Sequence, residues 1–169
     1  PDGTFPSGST KYEKRGVAVT IPKWVADNCI QCNQCVLVCP HAVIRSKLVT
    51  AEELKDAPES LQTLTPNNPK VKEAYKFTLQ ISGYDCTGCG NCADVCPGKA
   101  GNKALIMTAF VDEIKENAEK FNFTDKIQAK NPLGDAAWNT AMYNQPYFEY
   151  HGACAGCGET PYIRMITQL

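Results

Sequence analysis

The sequence has no long apolar run, no basic block and only two histidines in 169 residues, and each shortage removes a class of function. Without an unbroken stretch of roughly 18 apolar residues no transmembrane helix can be written, so a soluble chain with no membrane partner is expected. Lys and Arg number 17 against 18 Asp and Glu, a formal charge of −1, and no cationic cluster offers a footprint for a phosphate backbone. Nucleic acid is therefore not an expected partner. His41 and His151 are the only imidazoles and no Ser/His/Asp set stands out, which leaves acid–base and nucleophilic catalysis little to work with. No catalytic residue is assigned, and His41 reads as a packing or surface residue. Pro1 to Tyr12 is polar and rich in Gly, Ser and Pro, unlike an export signal, so a cytoplasmic location is expected. The opening Pro and the end at Leu169 read as the edges of a piece of a longer protein.

Cysteine is what the chain has in excess: ten, at 29, 32, 35, 39, 86, 89, 92, 96, 154 and 157. The first run, DNCIQCNQCVLVCP, carries Cys29, Cys32, Cys35 and Cys39, and the second, YDCTGCGNCADVCP, repeats all four 57 residues later as Cys86, Cys89, Cys92 and Cys96. Each is the Cys-x2-Cys-x2-Cys-x3-Cys-Pro signature already established for two-cluster ferredoxins, whose fourth cysteine serves the other cluster. Three thiolates at intervals of three can wrap one loop around three corners of a cubic [4Fe-4S] core. The fourth, leaving on a helical turn with Pro behind it, reaches the neighbouring core. The expected sets are thus Cys29, Cys32, Cys35 and Cys96 for cluster A, and Cys86, Cys89, Cys92 and Cys39 for cluster B. Zinc would be served by Cys-x2-Cys pairs without the extra Cys-x2 step and the repeated Cys-Pro ending, and a disulfide framework would want a secreted context.

Ile30, Val36, Leu37, Val38, Ala93 and Val95 supply apolar walls that keep water from the sulfides. Gly88 and Gly90 let the second loop approach its cluster with positive φ, while Gln31 and Asn33 hold the equivalent places in the first. For these two polar side chains, hydrogen bonding that tunes the cluster and plain loop solvation both stay open.

The remaining pattern gives the scaffold. Residues 1–22 read as a tether followed by a first strand, in which Val17, Val19 and Ile21 alternate until Pro22 ends it. Residues 23–109 form the two-cluster domain, with short strands at 42–45 and 104–108, a longer one carrying Tyr75, Phe77, Leu79 and Ile81, and an insertion at about 47–72 that serves as a lid or a docking surface. Two short hairpins against the cluster loops are expected. A helix over about 111–120 places Phe110, Ile114, Ala118 and Phe121 on one face, with Glu113 among the polar residues elsewhere. The rest of 110–150 is a polar connector, with a short helix within 135–142, that travels away from the core. The fold class is α+β: a bacterial two-[4Fe-4S] ferredoxin-like core, then a helix and the opening of a larger α/β domain.

The chain finishes YHGACAGCGETPYIRMITQL, where Cys154 and Cys157 form a third pair and Thr160-Pro161 is a helix start, Thr160 as cap. Two cysteines complete neither a four-iron cluster nor a zinc site, so they are a redox dithiol, half of a third metal site, or inert thiols. The order of KYEKRG (11–16), DNCIQCNQCVLVCPH (27–41), the second run and ACAGCGETPY (153–162) resembles pyruvate:ferredoxin (flavodoxin) oxidoreductase across essentially the whole chain. That resemblance implies an electron-transfer segment of a thiamine-dependent enzyme that converts pyruvate and coenzyme A to acetyl-CoA and CO2. It implies a third [4Fe-4S] cluster on Cys154, Cys157 and two thiolates from further along the parent chain. Residues 151–169 would then open the thiamine-diphosphate domain, with Glu159 and Thr160 near that cofactor and its magnesium. The implied partners are the remaining parent domains, an external ferredoxin or flavodoxin, and further copies in a homo-oligomer. A free-standing or subunit-type two-cluster ferredoxin is the alternative.

Overall fold

The 57-residue repeat in the sequence is also a repeat in the fold. In the computed structural model, described for residues 2–4, 6 and 8–168, a 3-10 turn at Ala26–Asn28 recurs at Gly83–Asp85. Helix α1 (Gln34–Val38) recurs as α2 (Asn91–Asp94), each entered through a left-handed residue, Asn33 or Gly90. Of the expected tether, Pro1, Phe5 and Ser7 lie outside the described residues, as does Leu169 at the end of the last helix.

Four strands make two antiparallel two-stranded sheets. Strand β1 (Thr20–Trp24) pairs with β4 (Leu105–Ala109), and β2 (Ile44–Val49) with β3 (Lys76–Ile81). Neither is a tight hairpin. The first sheet joins the two ends of the domain, and the second is connected through residues 50–75. The first strand starts later than the expected alternation, since Val17 and Val19 are exposed, and it runs through Pro22 rather than ending there. Phe110 N donates to Val19 O at 2.9 Å and Val25 N to Ala104 O at 2.8 Å, which makes the odd-numbered residues of β1 the hydrogen-bonded ones. Pro22 therefore sits where the backbone nitrogen faces away from β4, and its missing N–H disturbs no ladder bond.

Strand β2 was expected at 42–45 but begins at Ile44, because Ala42 is held at φ 53° in the turn that follows Cys-Pro-His. All six residues of β2 are buried, as are five of six in β3, since both faces of this sheet are covered. The polar residues of β2 so buried are satisfied, whereas in β3 Gln80 donates to Asp125 at 3.2 Å and keeps its Oε1 unpaired. Arg45 pairs with Glu149, Ser46 Oγ donates to Met142 O at 3.3 Å, and Lys47 Nζ donates to Thr124 O at 2.9 Å and Ile127 O at 2.5 Å.

Helix α3 runs from Phe110 to Thr124, longer than expected at both ends, and its inward face is rotated. Glu113, Ile114, Asn117, Phe121 and Thr124 are buried, while Phe110 and Ala118 are only half-buried. Glu113 turns inward because Lys23 meets it at 2.8 Å, and Asn117 because its Oδ1 accepts from Gly83 N at 2.8 Å.

The connector does not run off the core. After α4 (Trp138–Ala141), Met142, Tyr143 and Tyr150 are buried against it, and Phe77 stands edge-on to both Trp24 and Tyr143 at 6.0 and 6.3 Å. Residues 50–75 contain no helix or strand of their own, but Leu64 and Phe77 exchange both backbone hydrogen bonds at 2.8 Å, seating this segment along β3. The last helix, α5 (Thr160–Gln168), begins one residue earlier than expected: Glu159 O accepts from Ile163 N at 3.4 Å, so Glu159 precedes the first turn and Thr160 lies within it.

Candidate metal centres

The duplicated loops place the eight cysteines in two crossed quartets. One cavity is lined by Cys29, Cys32, Cys35 and Cys96, together with Trp24, Phe77, Leu79 and Leu105. A second is lined by Cys39, Cys86, Cys89 and Cys92, with Pro22, Val43, Ile44 and Met107. In each, three thiols come from one loop and the fourth from the end of the other loop's helix. Among the described residues no three of His, Cys, Asp or Glu converge as a single ion requires. The thiols instead stand around a void, an arrangement suited to a polynuclear core that takes one thiolate per corner.

The loop geometry follows from four left-handed residues at matching places. Gln31 (φ 58°) and Asn33 (φ 62°) correspond to Gly88 (φ 71°) and Gly90 (φ 82°). The first pair points Gln31 N at Cys29 Sγ, 3.4 Å away, and the second points Gly88 N at Cys86 Sγ, 3.3 Å away. Ala104 N adds a contact to Cys96 Sγ at 3.3 Å. At Gly88 a Cβ would meet Thr20 O at 3.1 Å, so here glycine serves close packing as well as φ. Gln31 tolerates the strain because its side chain is anchored at both ends, donating to Thr65 O at 2.8 Å and accepting from Asn67 N at 2.9 Å. Asn33 is buried and donates to Asn139 O at 2.6 Å. Neither polar side chain merely meets solvent: they fasten residues 65–67 and the connector over the first loop.

Electrostatics show what these sites require. Burial, reinforced by the like charge of neighbouring thiols, pushes Cys35 well above the usual thiol range. Burial likewise pushes Cys86 up to about 12 and raises Cys92, with Cys39 and Cys89 as the charges each of them feels. Thiols so placed hold their protons until a cationic core replaces them. All-thiol quartets, amide N–H groups aimed at sulfur and apolar walls fit two [4Fe-4S] clusters.

Cys154 and Cys157 lie in a separate loop that is nonetheless fixed in place. A Cβ on Gly156 (φ 72°) would stand 3.7 Å from Cys89 Cβ, which sets the third pair beside the second quartet. His151 anchors the approach: its ring stacks on His41 at 4.7 Å and on Phe148 at 4.2 Å, and its Nε2 donates to Pro40 O at 2.7 Å. The two histidines thus tie the Cys39-Pro40 turn to the third pair, a packing role for His41. Cys157 is held below the usual thiol range by the backbone N–H groups of Thr160 and then Glu159. Thr160 is buried with its Oγ1 unpaired, and Glu159 is exposed.

Nothing in the sequence pattern signalled two further residues. Lys14, within KYEKRG, pairs with Asp85 at 2.5 Å and lies over the rings of Phe121 and Tyr150, clamping the entry to the second loop. Arg164, 1% exposed, donates to the carbonyls of Val36 and Leu37 at 2.5 and 2.6 Å and fixes α5 against the first loop's helix.

Comparison with known proteins agrees with this geometry. Residues 28–100 match the family described as 4Fe-4S dicluster domain. Pyruvate:ferredoxin oxidoreductase of Moorella thermoacetica is 49% identical over 170 residues, which cover 100% of this chain and 14% of that protein. Pyruvate-flavodoxin oxidoreductase of Klebsiella pneumoniae is 44% identical over 99% of the chain and 14% of its own length. Pyruvate dehydrogenase [NADP(+)], mitochondrial, of Euglena gracilis is 40% identical over 100% of the chain and 9% of its own length. The chain thus spans about one-seventh of the length of the first two relatives.

Proposed function

The chain is homologous over its whole length to a segment of the pyruvate:ferredoxin and pyruvate-flavodoxin oxidoreductases, and from that premise we propose that it is the electron-transfer segment of such an enzyme. The parent reaction is oxidative decarboxylation of pyruvate with coenzyme A, on thiamine diphosphate and magnesium held by domains outside this chain. The observation that carries this reading is the pair of crossed thiol quartets, each around its own cavity.

In this reading each bound [4Fe-4S] cluster supplies a one-electron carrier. Cys29, Cys32, Cys35 and Cys96 hold one, Cys86, Cys89, Cys92 and Cys39 the other, and the apolar walls keep water off both. Cys154 and Cys157 supply half the ligands of a third cluster, completed from outside residues 1–169. The contact of Gly156 with Cys89 makes the second quartet the neighbour of that third site, so the first quartet is the outer end of the path. There Ile30, 41% exposed beside the first loop, offers an apolar spot to an external ferredoxin or flavodoxin. Residues 50–75 are an insertion that closes one side of the first loop, and residues 151–169 open the thiamine-diphosphate domain. Glu159 and Thr160 orient Cys157 and stand near the thiamine diphosphate.

The test is anaerobic iron and sulfide analysis of the full-length protein with and without Cys154→Ser and Cys157→Ser. About twelve irons per chain falling to about eight, with both ferredoxin-type EPR signals kept, is the expected result. Unchanged iron content would exclude the third site and leave these two thiols as a dithiol. Fewer than eight irons in the unmodified protein would overturn the two-cluster reading itself.

A further inference from the structure

Trp24 carries a buried polar group that the scaffold leaves unused. Its indole Nε1 has no hydrogen-bond partner, sulfur included, and the residue is only 9% exposed at the last position of β1. A tryptophan N–H is an obligatory donor, and buried ones normally find an acceptor. Trp24 lines the same cavity as Cys29, Cys32, Cys35 and Cys96, and no carbonyl or carboxylate accepts from it there. The side-chain acceptors left on that wall are the four sulfurs and Asn33 Oδ1, itself buried and unpaired.

The repeat isolates what this residue adds. Fifty-seven positions on, at the end of β3, the counterpart of Trp24 is Ile81, equally buried and with no hydrogen to donate. The other N–H contacts recur, Gln31 with Gly88, so the indole is an addition to one half of a duplicated design. In the second cavity the nearest parallel is His41, whose Nδ1 donates to His151 O at 3.0 Å and whose Nε2 is buried without a partner, but it stands after the first Cys-Pro and not at the strand end that Trp24 occupies.

We propose that Trp24 is a positioning and tuning residue that turns its indole N–H to a sulfur of the first cluster, favours the reduced state of that cluster, and so draws electrons to the outer end of the path. A donor to a cluster sulfur stabilises the more negative, reduced core and raises its potential. One electron then leaves the second cluster, which is oxidised, and enters the first, which is reduced, with no net change. The inference rests on the two-cluster reading above and adds to it the direction in which the pair is biased.

The experiment compares unmodified full-length protein with Trp24→Phe, which keeps an aromatic ring but no donor, and Trp24→His, which restores a ring N–H. EPR-monitored redox titration of each, after iron analysis, separates the two levels. With clusters at full occupancy in all three, Trp24→Phe should lower the midpoint of one cluster only, by about tenfold in its preference for an electron, or roughly 59 mV for a one-electron couple. Trp24→His should recover part of it. The Fe–S(Cys) resonance Raman bands should lose part of their shift on exchange into D2O in Trp24→Phe alone. Full occupancy with an unmoved potential and an unmoved deuterium shift would overturn the role of Trp24 while leaving the clusters in place, and absence of two clusters in the unmodified protein would overturn both.

Discussion

Arg164 Nη1 donates to the carbonyl oxygen of Cys39 at 3.3 Å, so a residue of the last helix holds the backbone of a cysteine 125 positions earlier. With Val36 and Leu37 it takes up the end of α1, where carbonyls have no partner within the helix. Arg164→Met should leave these buried acceptors bare and destabilise the docking of α5 by about 3 kcal/mol. Hydrogen exchange should show the amides of 160–168 losing protection while those of β2 and β3 keep theirs. Equal protection in variant and parent would mean that α5 is held by other contacts.

Crossed ligation predicts a crossed defect. Cys39→Ala should damage the cluster on Cys86, Cys89 and Cys92, and Cys96→Ala the cluster on Cys29, Cys32 and Cys35. Mössbauer or EPR spectra of the two variants should be complementary. If Cys39→Ala instead removed the signal that Cys29→Ala removes, the sets would be uncrossed.

Because burial raises Cys35, Cys86 and Cys92, these thiols are protonated at neutral pH without metal, and each must give up its proton to bind iron. Reconstitution should release about one proton per ligating thiol in a pH-stat and should strengthen as pH rises from 7 toward 9. Chelation should abolish the cooperative native circular dichroism signal, since the walls of each cavity pack around the cluster. Proton release near zero, or a native signal that survives iron loss, would contradict this account.

Lys47 makes an independent pH prediction. Burial lowers its ammonium from 10.5 to about 8, even though it donates to two carbonyls at the end of α3. The folded value lies below the unfolded one, so the unfolded chain binds the extra proton between them, and this group's contribution to stability rises with pH from about 8 to 10.5. Below about 8 its penalty is fully present. The rise should be on the order of 2–3 kcal/mol at most and should vanish in Lys47→Met. Urea unfolding of both proteins at pH 7, 9 and 10 measures it.

Spacing alone grouped the eight thiols into their two quartets. Cys39 and Cys96 could be assigned to opposite cavities because the x3 interval turns the fourth thiol off its own loop, and Gln31 and Asn33 could be matched with Gly88 and Gly90 by the repeat. The strand at 104–108 and the one around Phe77 were legible for the same local reasons. What the sequence did not disclose depends on distant partners. Glu113 is polar in any pattern and faces inward only because Lys23 lies opposite. The connector is polar in composition, yet three contiguous residues, Ala141, Met142 and Tyr143, suffice to seat it. Arg164 carries no local sign that its role is to complete a helix 125 residues away.

The pairing of β1 with β4 sets an order for biosynthesis. Thr20 meets Ala109 across 89 residues of chain, and Cys96 must return to the loop of Cys29 before the first quartet exists. Loop closure of that length makes the contact late and slow to form. A nascent chain that has exposed only the first cysteine run therefore presents four thiols but neither completed pocket. Neither quartet is complete until the second run has emerged, so the two halves of the repeat are completed together and the closing of the domain is tied to that step.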